Sequence, residues 1–209
     1  MALVKYNNNS ISSVTSAASF PAGAMTLIKT ITASSDSTIS FVDGSSDVVL
    51  DSTYPIYLFK FINIHPATDG ARFSVNFRDG STAYDATKTT TMFSTYHQEN
   101  DGESSGDRFA YQSGGDLAQS TGVQRLTSSI GNASDETYSG ELFLFNPSST
   151  TFVKHFISRG SSVHDAPAIQ DHYVAGYCNV TAAIDGVQFS MNSGNIDAGT
   201  IKLYGIKDS

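Results

Sequence analysis

The stretch from Tyr54 to His65 constrains the fold of this chain more than any other. Tyr57, Phe59 and Phe61 fall on one parity, and Ile56, Leu58, Ile62 and Ile64 on the other. A strand sends successive side chains to opposite faces. With both parities apolar, the spacing predicts a strand buried on both faces near the middle of a sheet. Lys60 breaks the pattern and is expected to run its stem toward an edge. Pro55 stands at the start, where a missing N–H does least harm.

The same period of two recurs down the chain. It predicts strands over 25–32, 37–42, 71–77, 90–97, 139–145, 151–157, 172–180, 186–191 and 198–206, with a weaker one over 123–130. Asp43-Gly44, Asp69-Gly70 and Asp79-Gly80 mark turns between them. Pro66 and Asp69-Gly70 lead us to expect a hairpin between 54–65 and 71–77. Asn146 to Ser149 reads as the turn joining the next two strands. Val187, Phe189 and Met191 are expected to face inward, with Gln188, Ser190 and Asn192 outward. Residues 98–122 form a long polar stretch of the kind that is functional, interfacial or disordered. No helical period and no repeat is present. Residues 1–24, rich in Ser, Asn and Ala and closed by Pro21-Ala22-Gly23, read as an arm or a loosely packed first strand, either a frayed terminus or, in the sharper reading, a segment that orders against a neighbouring subunit. The pattern therefore predicts an all-β chain: an extended N-terminal arm over 1–24 and an antiparallel jelly-roll β-sandwich over 25–209.

Composition narrows function by exclusion. A net charge of −8 argues against nucleic acid bound through a broad basic face. Only 15% of residues are charged, with Ser, Thr, Asn and Gly in their place, as in β-rich proteins of extracellular or particle-borne assemblies. No run of apolar residues is long enough for a membrane helix, and residues 1–9 lack the apolar core of a secretion signal, so synthesis in the cytoplasm is expected. Cys178 is the single cysteine; in an apolar, aromatic run it reads as a small buried hydrophobe.

Motifs for chemistry are weak. Gly102-Glu103-Ser104-Ser105-Gly106 has the nucleophile-elbow spacing, but it sits in a polar loop without the strand and helix that the mechanism needs. The histidines, His65, His97, His155, His164 and His172, make no metal-type pair. His164-Asp165 and Asp171-His172 bracket one loop, the place where a metal would be sought; a solvated loop is the favoured reading. Asp101, Glu103, Asp107 and Asp116 are oxygen ligands of the kind calcium takes, without the EF-hand spacing. No catalytic residue, metal ligand or cofactor is expected.

Three segments, FKFINIHPATDG (59–70), GELFLFNPSSTTFVKHF (140–156) and SGNIDAGTIKLYGI (193–206), resemble structural proteins of tailed phages of aquatic bacteria. The resemblance runs through nearly all the chain after the arm. It implies a lectin-like β-sandwich placed on the virion, as head decoration or tail-associated protein, with no active site to carry over. The expected role is a non-enzymatic capsid decoration or cement protein. It would be assembled in the host cytoplasm as a homotrimer against the major capsid protein or tail proteins, without nucleic acid or membrane. A tail- or fibre-associated module that binds a host glycan is the alternative.

Overall fold

The computed structural model describes residues 24–102 and 108–207. Apart from Ala24, the expected arm lies outside them, as do Glu103, Ser104 and Asp107. The described chain is all-β. Its strands are β1 Met25–Thr32, β2 Thr38–Val42, β3 Ile56–Pro66, β4 Phe73–Arg78, β5 Lys88–Gln98 and β6 Phe109–Tyr111. They continue as β7 Gln124–Arg125, β8 Tyr138–Phe145, β9 Lys154–His164, β10 Ala168–Cys178, β11 Gly186–Met191 and β12 Ile196–Ile206. A 3-10 turn covers Ser113–Gly115, and no described helix is long and apolar enough to cross a membrane.

The strands form two antiparallel sheets. One has eight strands in the order β1-β12-β3-β8-β9-β10-β5-β6, the other four in the order β2-β11-β4-β7. The 98–122 stretch, read as loop, contributes β6 to the edge of the large sheet and the 3-10 turn beside it. The weak strand expected over 123–130 is reduced to the two-residue β7.

One expected pairing is overturned. The strand 54–65 and the strand 71–77 do not form a hairpin. β3 pairs with β12 and β8, while β4 pairs with β11 and β7 in the other sheet. The Pro66–Gly70 segment turns the chain from one layer to the other, so Phe61 meets Phe73 across the core at 5.2 Å between ring centroids. The expected β8–β9 pairing does form, antiparallel from Tyr138↔Ser162 to Leu144↔Phe156.

The core lies between the inward faces of the two sheets. Phe189, inward with Val187 and Met191 as its alternation predicts, sits at the centre. Its ring lies 5.1 to 6.3 Å from those of Phe41, Phe59, Phe61 and Phe73. Most of these contacts are edge-on, the arrangement that ring quadrupoles favour. β3 sends Tyr57, Phe59 and Phe61 into this core, all buried. Its other face is not fully covered: Leu58 is buried, but Ile62 is 41% exposed. Lys60 points out and pairs with Glu141 at 3.3 Å.

Candidate interaction face

Strand register places the outward residues of the large sheet in rows, because antiparallel partners share a face. One row reads Leu27, Tyr204, Leu58, Phe143, Ile157, Ala175 across β1, β12, β3, β8, β9 and β10. The row beside it reads Met25, Ile206, Ile56, Phe145. These alternate with buried core positions, so they face away from the second sheet. Leu27 and Ile157 are each 50% exposed, and Phe152, in the turn beside β9, is 70% exposed. Phe143 and Phe145 stack at 6.3 Å. This half of the face is therefore a contiguous apolar surface.

The other half is polar at its centre and aromatic toward the β6 edge. Its main row reads Lys202, Lys60, Glu141, Arg159, Tyr173, Phe93, Tyr111. The next reads Ser139, Ser161, Asp171, Thr95, Phe109. Arg159 reaches Asp171 at 2.9 Å and lies over the Tyr173 ring at 4.9 Å. Its hydrogen bonds to the Asp171 carboxylate hold the guanidinium pKa above its ordinary value.

No protein-family model, curated protein or solved structure matches this chain.

The segment bracketed by His164-Asp165 and Asp171-His172, the place where a metal would be sought, does not bring the four side chains together. Asp171 points out to Arg159, while its neighbour His172 points in and is 1% exposed. The alternation of β10 separates them. His164 Nδ1 lies 2.6 Å from Asp165 Oδ1 and accepts the Ala166 N–H. No group of three or more His, Cys, Asp or Glu is placed to hold a metal among the described residues. Of the acidic set, Asp101 pairs with Arg108 and Asp116 accepts from Met92 N–H and Tyr111 Oη. His65 Nε2 lies 3.2 Å from the carbonyls of Asn132 and Ala133, and His97 lies 3.3 Å from Asp101. His155 is exposed on the outer face, its ring 5.9 Å from that of Tyr177.

The interior holds polar groups that residue type did not mark. His172 Nε2 hydrogen-bonds Ser162 Oγ at 2.9 Å. These are the atom types of a base and a nucleophile, but both residues are 1% exposed and sealed inside the sandwich. Burial pushes the His172 pKa down to about 4. Its Nδ1 and the nearby Tyr138 Oη have no hydrogen-bond partner among the described residues. At the other end of the same sheet, Lys88, Cys178 and Lys154 are adjacent across three strands and fully buried. Lys88 Nζ donates to Gly122 O and Lys154 Nζ to Val180 O, each at 2.8 Å. Burial lowers the Lys88 pKa to about 8 and raises that of Cys178 to about 12, so the thiol stays protonated. The signal for the buried lysines was present: each shares parity with an inward residue, Lys154 with Phe156 and Lys88 with Met92.

Proposed function

We propose that this protein is a non-enzymatic structural component of a phage particle, a jelly-roll sandwich that packs through the apolar half of its large outer face. The supporting observation is that face: Met25, Leu27 and Ile157 stand 48 to 50% exposed in rows with Tyr204, Phe143 and Phe145. A contiguous exposed apolar surface of this kind marks an interaction site. The chain also alternates between the two sheets through β1 to β5, the habit of a jelly roll. The sequence resemblance supplies the setting: head decoration or cement, in symmetric copies, against the major capsid or a tail protein. Residues 1–24 lead into β1 at the apolar end of the face and are assigned to the same contacts.

Light scattering on the isolated protein and a co-sedimentation assay with particles lacking it test this reading. The wild type is expected to self-associate, with a trimer as the expected species, and to bind the particles. Leu27→Asp with Ile157→Asp is expected to give a monomer that binds at least tenfold more weakly, with its β circular dichroism intact. Deleting 1–24 is expected to abolish particle binding. A wild type that is monomeric and indifferent to particles rejects the proposal.

A further inference from the structure

The polar half of the outer face is built differently from the apolar half. Ser139 and Ser161 are cross-strand partners with short side chains. They lie between the longer Glu141–Arg159 pair and Ile169, leaving a shallow open depression of about 610 Å³. That volume falls within the roughly 300–1,000 Å³ of small-molecule sites.

The charges lining this depression cancel. Lys60 pairs with Glu141 at 3.3 Å, and Arg159 holds Asp171 through Nη2 at 2.9 Å and Nε at 3.4 Å. Two cations and two carboxylates give the lining no preference for a charged ligand. They do give fixed acceptors, fixed donors and, from the serines, groups that act as both. A ligand bearing many hydroxyls satisfies all three kinds at once. A phosphate or an acidic peptide would need an excess of cations, and the chain as a whole carries a net charge of −8.

An aromatic stack continues the site toward the sheet edge. Arg159 lies over Tyr173, and Tyr173 stacks on Phe93 at 4.7 Å with 7° between planes. Phe93 in turn meets Phe109 at 5.5 Å. Tyr173 thus has Arg159 and Phe93 as its neighbours in the row. Phe109 ends the stack, Tyr111 is the cross-strand partner of Phe93 beside it, and each is 61% exposed. From β8 to β6 the site crosses four strand spacings, about 19 Å. That length fits a chain of sugar rings, with hydroxyls on the ion pairs and a C–H face on Phe109 or Tyr111.

We propose that this half of the face binds a neutral oligosaccharide. The proposal does not rest on membership of a particle. Binding to immobilised neutral glucans, N-acetylglucosamine oligomers and sulfated dextran is measured by glycan array, then by calorimetry with the best neutral probe. At least one neutral probe is expected to bind and sulfated dextran is not. Asp171→Asn and Glu141→Gln are each expected to weaken binding by about tenfold, since each removes a charged hydrogen-bond acceptor. Both changes are isosteric, and melting curves confirm their folding. Leu27→Asp with Ile157→Asp is expected to leave sugar affinity unchanged, so failure of the packing face and failure of the sugar site read out separately. The proposal is overturned by a blank neutral panel, by preference for sulfated dextran, or by affinities that Asp171→Asn and Glu141→Gln do not move.

Discussion

At the scale of single residues, strand alternation decides what chemistry a side chain can do. Asp171 and His172 are adjacent in sequence, yet one holds Arg159 in solvent and the other is sealed against Ser162. Burial lowers the His172 pKa from its ordinary value to about 4. Between those two values the unfolded chain binds a proton that the folded one refuses, so stability is full above the unfolded pKa and falls with pH. We expect stability to drop by on the order of 3 kcal/mol between pH 6.5 and pH 4 from this group. Urea unfolding across that range checks it: His172→Gln should flatten the slope relative to wild type, and an unaltered slope would show that His172 is not its source. The sequence marked His172 as polar at a strand start, but its depth depends on which face the second sheet covers.

At the scale of elements, the central strand β3 carries a kink that the sequence only hinted at. Asn63 adopts φ +50° and Gly199 on its partner β12 adopts φ +116°. The register between these strands shifts at Ala198 and Thr200. A Cβ at Gly199 would meet the Asn63 carbonyl oxygen at 2.6 Å, in a backbone region that L side chains avoid. Gly199→Ala is expected to cost about 2 to 3 kcal/mol, read as a lowered denaturant midpoint with unchanged m. A cost under half that would mean the bulge relaxes freely. Gly199 stood in an apolar strand pattern, where an isolated glycine signals a bulge or a close approach. The β3–β4 hairpin was misread because a hairpin and a crossing between layers share one period-two pattern. β6 was missed because a three-residue edge strand is too short to show any period.

At the scale of the whole molecule, one ring closes the space between the sheets. Phe189 contacts aromatic residues from β2, β3 and β4 and is fully buried. Phe189→Ala is expected to cost about 3 to 5 kcal/mol, because neighbours on two facing sheets cannot collapse into the cavity. Unfolding by urea measures it, and a cost below 1.5 kcal/mol would show a loosely packed centre. The outer face of the large sheet has no second layer among the described residues. Its apolar and polar halves therefore hold the two surfaces to which we assign packing and sugar binding.

Alternating hydrophobicity by itself determined that the described chain is all-β, and it located ten of the strands and the inward face of β11. That information is local: a side chain's face follows from its own position and its neighbours' polarity. Apart from the β8–β9 hairpin, which the Asn146 to Ser149 turn announced, only the tertiary structure decided which strands are partners, where the layers cross, and which outward rows lie side by side. Those depend on contacts between residues far apart in sequence, as with Leu27 beside Tyr204 and Arg159 over Tyr173. The ion-paired depression draws on four strands and the longer apolar row on six, so no stretch of sequence contains either one.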